Sequence, residues 1–302
     1  MKTWEKWRKP YLRIFGPVLL LGLLSSGPRP AEAAQLELNT GAPHLCAVVQ
    51  NGQTANNTPV IAFSCSGGFG NKWNLINGQL QGIGTANGKS MCMDVKEQGT
   101  TPGTLVDLFS CNGQQNQQWE FFENGSIQSL QSSLCLDSKG GPSSGGGTQL
   151  IINTCSGGTS QNWIVRGAQF ELNSSAPYNC VADNAGDTAN GTPVLSYNCA
   201  QSPQQLWNYI DGQIQGIGTN NGKSTCLTAA ALTPGSLVTL SSCVASESTQ
   251  SWRFFNYAPL TNQIVLADEL CLDSVGGPSV GGGTQLVVND CTEGPSQNWN
   301  IR

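Results

Sequence analysis

Apolar residues in this chain occur in short runs that are separated by polar, turn-forming clusters. Residues 105–109 and 149–152 are typical runs, and the stretch 138–147 between them consists mostly of Gly, Ser and Pro. Runs of this length bounded by turn residues predict short β-strands. Beyond residue 33 we find no stretch with the 3.6-residue period of an amphipathic helix, so the sequence predicts an all-β protein.

A recurring set of two cysteines and one tryptophan divides the chain into six similar units. In each unit a Trp follows a Cys after eight or nine residues, and another Cys lies 17 to 20 residues before that Cys. The upstream cysteines recur every 43 to 46 residues, which is typical of a repeat architecture. The six sets are Cys46, Cys65 and Trp73; Cys92, Cys111 and Trp119; Cys135, Cys155 and Trp163; Cys180, Cys199 and Trp207; Cys226, Cys243 and Trp252; and Cys271, Cys291 and Trp299.

The six units are arranged as two groups of three. A unit of about 45 residues with four short strands is too small to bury its own apolar face, but three units can close around one axis as a β-trefoil. The segment 34–39 reappears, nearly unchanged, at 168–173, a displacement of 134 residues. We therefore predict two tandem β-trefoils of three repeats each, with residues 34–167 as the first domain and 168–302 as the second. The boundary leaves almost no linker, so we expect the two domains to touch.

The first 33 residues have the organisation of a signal peptide. Five basic residues precede an apolar run at 14–24, which is too short to span a bilayer. Ala31 and Ala33 provide small residues for cleavage after Ala33. We expect a secreted, extracellular protein, and the alternative is an uncleaved N-terminal anchor.

Removal of the leader makes the chain more acidic. The whole sequence has 14 Lys and Arg residues and 19 Asp and Glu residues, of which the leader contains six and two. The remainder has 8 cationic and 17 anionic residues, a net charge of −9. Few, scattered cations cannot replace the counterions of phosphates, so we expect no nucleic-acid partner. No segment after the leader is long and apolar enough to span a bilayer, so we also expect no membrane insertion.

All twelve cysteines lie in the repeats, two per unit. The even number and the oxidising destination favour disulfides over thiolate metal sites. No two cysteines have Cys-x-x-Cys spacing and His44 is the only histidine, so we expect no metal and no cofactor. The sequence leaves other connectivities open, but the simplest pairing is local: Cys46–Cys65, Cys92–Cys111, Cys135–Cys155, Cys180–Cys199, Cys226–Cys243 and Cys271–Cys291.

Five of the six units end in Gln-x-Trp, and three contain Cys-x-Asp at the upstream cysteine. In phase with the paired cysteines, this pattern resembles the ricin B-type lectin repeat, which also occurs in bacterial carbohydrate-binding modules. The resemblance covers residues 35–302, although the first unit departs from it with Asn71 in place of Gln. It implies two β-trefoils, local disulfides and sugar binding without catalysis. Because a Trp is present in every unit, we expect these indoles in the core rather than in sugar sites.

In the family pattern a carboxylate stands two residues after the first Cys, and an aromatic residue stands two before the second Cys. A polar residue lies two before the aromatic one, and an Asn precedes the Gln. The second unit matches at every position, with Asp94, Asp107, Phe109, Asn116 and Gln117. We expect Asp94 to accept hydrogen bonds from sugar hydroxyl groups and Phe109 to stack on the sugar ring. Asp107, Asn116 and Gln117 are expected to act as orienting groups. The alternative is that Asp94 only caps a turn and Phe109 belongs to the core.

The other units match the pattern less well. Units three and six keep the acid and the Gln but have Asn at the aromatic position, so we expect weaker sites at Asp137 with Gln161 and at Asp273 with Gln297. The alternative is that each Asp only holds its own turn. Units one, four and five have Val48, Ala182 and Thr228 at the acid position, and we expect no site there. Strand alternation predicts that Asp183, one residue late, points to the opposite side.

These observations favour a non-catalytic carbohydrate-binding protein, or lectin. The family pattern suggests galactose, N-acetylgalactosamine or plant and cell-surface polysaccharides as ligands, and the residues do not choose among them. Asp94 and Asp107 are two carboxylates in one unit, but a shallow notch is a poor place for a glycosidase pair, so we expect no enzyme. Two alternatives stay open: a protein-binding or inhibitory trefoil, and a targeting subunit for a separate glycosidase or toxin chain.

Overall fold

The computed structural model describes residues 33–302 except 87–88, 142–146, 174–177, 201, 221–222, 256–261, 268, 278–282 and 293. The leader predicted for residues 1–33 lies, apart from Ala33, outside the described residues. The described ranges contain strands and single 3-10 turns, with no α-helix. None of their helical turns is long and apolar enough to cross a membrane.

Each unit contributes four short strands. Units one to three contain β1 (Gln35–Leu38), β2 (Leu45–Val49), β3 (Thr58–Ser64), β4 (Trp73–Ile76), β5 (Gln79–Ala86), β6 (Lys89–Val95), β7 (Val106–Ser110), β8 (Trp119–Phe121), β9 (Ile127–Ser129), β10 (Cys135–Ser138), β11 (Thr148–Asn153) and β12 (Trp163–Ala168). Units four to six contain β13 (Phe170–Leu172), β14 (Asn179–Asp183), β15 (Val194–Asn198), β16 (Trp207–Ile210), β17 (Gln213–Asn220), β18 (Lys223–Ala229), β19 (Ser236–Ser242), β20 (Trp252–Phe255), β21 (Gln263–Leu266), β22 (Leu270–Ser274), β23 (Thr284–Asp290) and β24 (Trp299–Ile301). The 3-10 turns are Gln50–Gly52, Phe69–Asn71, Lys96–Gln98, Gln115–Gln117, Pro203–Gln205, Ser248–Gln250 and Pro295–Gln297.

The strand pairings repeat with threefold order in the first half. The second and third strands of each unit form an antiparallel hairpin, as β6 and β7 do. The last strand of each unit pairs with the first strand of the next, and β12 returns to β1. The hairpins meet through β3, which pairs with both β7 and β11. Six strands closed in this way and covered by three hairpins form a β-trefoil.

The second half repeats this arrangement. There β24 returns to β13, and β23 pairs with both β15 and β19. The chain is therefore all-β and consists of two tandem β-trefoils, which confirms the predicted fold class. Short strands suffice because the last strand of each unit pairs with the first strand of the next, so the three units of each half form one closed structure.

The six repeat tryptophans form the core. Each side chain is at most 1% exposed. Each indole Nε1–H donates to the backbone carbonyl of the residue directly after the first Cys of its unit, at 2.8–3.0 Å; these acceptors are Ala47, Met93, Leu136, Val181, Leu227 and Leu272. The bond satisfies the one polar atom of a large buried ring and fixes the fourth strand of the unit against the second. The prediction that these residues are core is confirmed.

All six local disulfides are present, and the described residues include no free cysteine. The paired cysteines are 17 to 20 residues apart in sequence. A loop of this size loses enough unfolded-state entropy on closure to stabilise the fold by ~3 kcal/mol per bridge in the chain-entropy model. Each bridge fastens the second strand of its unit to the loop that follows the third strand.

The two halves meet through the fourth strand of every unit. Three antiparallel contacts cross the junction: Leu75 with Ile301, Phe121 with Phe254, and Val165 with Tyr209. The ring of Phe254 lies at the centre, with its centroid 5.8 Å from that of Phe121, 5.5 Å from Phe170 and 4.8 Å from Tyr209. The buried Tyr209 hydroxyl donates to Trp252 O at 2.7 Å. The junction is therefore an apolar core shared by both trefoils.

Polar contacts surround this shared core. Asn262 accepts from Gly78 N at 2.5 Å and donates to Leu75 O at 3.3 Å. Asn173 donates to Asn77 Oδ1 at 2.9 Å. These bonds join the turn after β4 in the first half to two loops of the second half. Directional bonds around an apolar centre hold the two trefoils in one relative orientation.

Replacement of Phe254 by Ala is expected to lower the free energy of unfolding by about 3–5 kcal/mol, because it removes the ring that touches three others at the junction. Equilibrium denaturation of the oxidised protein, followed by Trp fluorescence, measures this. Phe63→Ala is the control, since Phe63 is 44% exposed and its loss is expected to cost less than about 1 kcal/mol. Equal effects of the two substitutions would contradict a shared core.

Candidate functional site

The Gln of each Gln-x-Trp ending clamps the backbone on both sides of the second Cys of its unit. Its Oε1 accepts from the N–H after that Cys, and its Nε2 donates to the carbonyl before it. The N–H donors, at 2.6–2.8 Å, are Asn112, Ser156, Ala200, Val244 and Thr292. The carbonyl acceptors, at 2.8–3.1 Å, belong to Ser110, Thr154, Asn198, Ser242 and Asp290. The clamp leaves one N–H of each Gln amide for a further partner.

In unit two this further partner is Asp94. Gln117 Nε2 donates to Asp94 Oδ2 at 2.8 Å, and Asn116 Nδ2 donates to the same oxygen at 2.9 Å. Asn116 Nδ2 also donates to Val95 O at 3.1 Å, and this second bond holds the Asn116 amide in place beside Asp94. Burial raises the pKa of Asp94, and the two amide bonds partly oppose that rise. Asn116 and Gln117 therefore lie where they orient the carboxylate.

Asp107 lies directly opposite Asp94 on the neighbouring strand. Its side chain is 4% exposed, and neither carboxylate oxygen has a hydrogen-bond partner in the described structure. Burial and the nearby charge of Asp94 raise the pKa of Asp107 to about 7, against an opposing effect of Lys96. The neutral form is therefore substantially populated near physiological pH, and a neutral carboxyl group can donate as well as accept.

Phe109 forms the wall of a cleft above these two acids. It lies opposite Cys92, two residues from Asp107 on the same side of β7, and its ring is half-buried. The cleft has a volume of about 240 Å³ and includes Asp94, Asp107, Phe109 and Asn116 in its lining. The structure thus brings four of the five side chains predicted for unit two into one cleft. Gln117 is fully buried behind them and supports Asp94.

Several other residues of the cleft escaped the sequence pattern. They are Asn57, Glu97, Gln98, Asn112 and Gln114. Asn57 belongs to unit one and reaches the cleft because its N–H donates to Leu108 O at 2.8 Å, where β3 pairs with β7. Gln98 donates to Gln114 Oε1 at 3.0 Å and so joins the two loops of the rim. The Asn and Gln residues clustered in these loops were the one sequence feature that pointed to a polar site. Which of them reach the cleft depends on how the loops are brought together by the fold.

A model of the ricin-type β-trefoil lectin domain matches residues 34–163 and again residues 168–300. The chain belongs to this family.

Two curated relatives show how far sequences diverge within the family. Beta-galactoside-specific lectin 3 of Viscum album is 28% identical over 270 residues, which cover 86% of this chain and 43% of that protein. The agglutinin of Ricinus communis is 24% identical over 231 residues, which cover 72% of this chain and 37% of that protein. This chain thus spans less than half the length of these relatives. Among solved structures, an agglutinin from Abrus precatorius covers 91% of this chain and 98% of that chain, with 20% identity and a TM-score of 0.38.

Units three and six of this ricin-type chain hold their acids in a different way. Gln161 and Asn153 both donate to Asp137 Oδ2, at 2.8 and 3.1 Å. Gln297 and Asn289 both donate to Asp273 Oδ2, each at 3.0 Å. The residue at the aromatic position is therefore an amide that binds the acid, and no ring from that position borders the carboxylate. Whether these two weaker sites bind sugar stays a prediction.

The clamping Gln in units four and five faces residues other than an acid. In unit five the Thr228 hydroxyl accepts from Gln250 Nε2 at 3.0 Å, which gives the clamp a neutral partner. In unit four, where Ala182 stands at the acid position, Asp183 and Tyr197 line one cleft. Gly186 N donates to Asp183 Oδ1 at 2.8 Å and draws the carboxylate over the turn after β14. Within the described ranges no three His, Cys, Asp or Glu side chains are grouped closely enough to hold a metal ion.

The pKa of Asp107 leads to a prediction for stability. A carboxyl group whose pKa is raised on folding binds its proton more tightly in the folded state, so folding stability falls as pH rises from about 4 to about 7. Asp107→Asn removes this dependence and is expected to raise the free energy of unfolding by about 1–3 kcal/mol at pH 8. Chemical denaturation at pH 4, 6 and 8 measures both effects. The exposed Glu269 provides the control substitution, Glu269→Gln. An unchanged pH profile in Asp107→Asn would show that the acid is not buried in this way.

Proposed function

We propose that this chain is a secreted, non-catalytic carbohydrate-binding protein whose main site is the cleft of unit two. One observation carries the proposal: the Asp94 carboxylate is fixed by two amides at the floor of a cleft that has the half-buried Phe109 ring as its wall. Asp94 and Phe109 lie on one side of the β6–β7 hairpin. A pyranose needs both, since it has adjacent hydroxyl donors at its edge and an apolar C–H face.

In the proposed complex Asp94 accepts hydrogen bonds from two neighbouring hydroxyl groups, and the sugar ring lies on Phe109. Charge-assisted bonds to a preorganised carboxylate give orientation, and the aromatic contact removes apolar area from water. Asp107 stands beside Asp94 and, in its neutral form, adds a donor that a carboxylate lacks. The amides of Asn116, Gln98 and Gln114 complete the hydrogen bonding around the ring.

The proposed ligands are galactose-type sugars, N-acetylgalactosamine included, or plant and cell-surface polysaccharides. The printed name of the Viscum album relative, a beta-galactoside-specific lectin, supports the first of these. Secretion rests on the leader sequence. Because the matched segments cover less than half of these relatives, a separate glycosidase or toxin chain as partner is the second candidate, in which this chain targets the partner to a sugar.

The arrangement of the two acids argues against catalysis by this cleft. Asp94 and Asp107 are cross-strand neighbours on one face of a hairpin. A glycosidase pair must face each other with the scissile bond between them, about 5–5.5 Å apart in retaining enzymes and farther in inverting ones. Two acids side by side on the floor of a cleft lie on the same side of any sugar that enters it. They are suited to hydrogen bonding of hydroxyl groups.

Asp94→Asn tests the proposal. The substitution keeps the shape of the side chain but replaces a charged acceptor, and hydrogen bonds to charged groups contribute about 1.5–3 kcal/mol. We expect the dissociation constant at unit two, measured by titration calorimetry with the best ligand from a glycan array, to rise at least about tenfold. The melting temperature is expected to stay within a few degrees, because Asn at this position still bonds to the amides behind it.

Asp137→Asn is the matched control, since Asp137 occupies the same position in unit three and accepts from the same type of Gln. Its effect on the tightest binding is expected to be smaller, because Asn153 stands at the aromatic position. Equal losses in both variants, or none in Asp94→Asn, would refute unit two as the main site. A wild-type protein that binds nothing on the array would favour the protein-binding or inhibitory alternative.

A further inference from the structure

Unit four contains a second cleft, in a repeat that lacks the acid of the family pattern. Its volume is about 330 Å³, larger than the 240 Å³ of the unit-two cleft. Ala182, Asp183, Tyr197, Gln204 and Gln205 contribute to its lining. The cleft thus combines an aromatic ring, a carboxylate and two amides, which are the components of a polar small-molecule site.

The floor of this cleft has a donor where unit two has an acceptor. Ala182 occupies the position of Asp94, two residues after the first Cys. Gln205 Nε2 donates to Asn198 O at 2.8 Å, and among the described residues this is its single acceptor. A primary amide has two N–H donors, so one donor of this 2% exposed side chain is left for a ligand. The missing carboxylate also leaves space above the Ala182 methyl group.

The wall and the rim supply the other contacts. Tyr197 lies opposite Cys180, as Phe109 lies opposite Cys92, and it is 48% exposed. The half-exposed Asp183 is fixed by Gly186 N. Gly186 has a φ of 77°, and a side chain there would meet the Gln204 amide, so glycine allows Gln204 to lie over this turn.

We propose that unit four binds an acetamido sugar. The acetamido carbonyl accepts from the remaining N–H of Gln205, and its methyl group fills the space above Ala182. The pyranose ring stacks on Tyr197, and its hydroxyl groups donate to Asp183. A buried donor without a partner favours a ligand that carries an acceptor over one that lacks it. This site uses none of the residues of unit two, so it extends the function proposed above and does not rest on it.

Amide chemical shifts of the full chain, without the leader, test the proposal. Titration with N-acetylgalactosamine or N-acetylglucosamine is expected to shift the amides of residues 183–186 and 197–200, with half-saturation near or below about 5 mM, as a single shallow site gives. Galactose and glucose are expected to shift these amides at least tenfold more weakly. Equal response to galactose and N-acetylgalactosamine in this region, or none to either, would overturn the assignment.

Two variants separate specific binding from a general surface effect. Ala182→Asp restores an acceptor for Gln205 and fills the space, as the natural sequence of unit two does, and is expected to weaken the acetamido response at least tenfold. Tyr197→Ala removes the stacking ring from an exposed position and is expected to weaken it similarly while the protein stays folded. The exposed Asp187→Asn, on the same loop but outside the lining, is the control and is expected to leave the response unchanged.

The same spectra distinguish failure of this proposal from failure of the unit-two site. Shifts confined to the unit-two hairpin at 94–98 and 107–116 would retain the main site and refute binding in unit four. Shifts confined to residues 183–186 and 197–200 would support binding in unit four and refute unit two as the main site. Retention of the acetamido preference in Ala182→Asp would also refute the proposed role of Gln205.

Discussion

The hydrogen bonds of the Gln-x-Trp ending hold every repeat together, and the rest of the structure depends on them. The indole N–H of Trp119 donates to Met93 O, and the amide of Gln117 bonds to the backbone on both sides of Cys111. Each is buried, so loss of a partner would cost about 1–3 kcal/mol. Met93 O and the Gln117 amide both border Asp94. The contacts that stabilise the unit therefore also place the carboxylate of the cleft.

One N–H of the clamping Gln distinguishes the repeats from one another. It meets Asp94 in unit two, Asp137 in unit three, Thr228 in unit five and Asp273 in unit six. In unit four Ala182 removes the acceptor without removing the donor. The Gln donor has the same position in each of these repeats, whereas the residue two positions after the first Cys differs. The cleft can therefore change from repeat to repeat while the bonds between Gln and the backbone stay the same. The fold tolerates these changes because the Trp bond and the disulfide do not involve the changed position.

The fold was predictable from sequence because its determinants are local and repeated. Each of the six cysteine pairs lies within one unit and each Trp recurs in phase with them, so the spacing favoured local pairing, a Trp core and a trefoil, although it left other cysteine connectivities open. Asp94, Asp107 and Phe109 were accessible through their match to the family pattern, and strand alternation in one hairpin explains why Asp107 and Phe109 lie on the same side. Asn57 was not, because it reaches the cleft from another unit through the β3–β7 pairing. Strand alternation also says little about Asp183, because it is the last residue of β14 and its carboxylate accepts from Gly186 N in the following turn.

The junction decides how clefts in different trefoils can act together. Phe254 packs against rings from both halves, and Asn262 bonds to the turn after β4, so the halves do not reorient freely. Two weak sites on a rigid body gain from each other only when a ligand presents sugars at the matching separation, whereas a flexible linker would accept many separations at lower effective concentration. A rigid pair thus selects for the spacing of sugars on a polymer or a surface. The shared apolar core of the two trefoils therefore bears on which ligands the chain can hold with two sites at once.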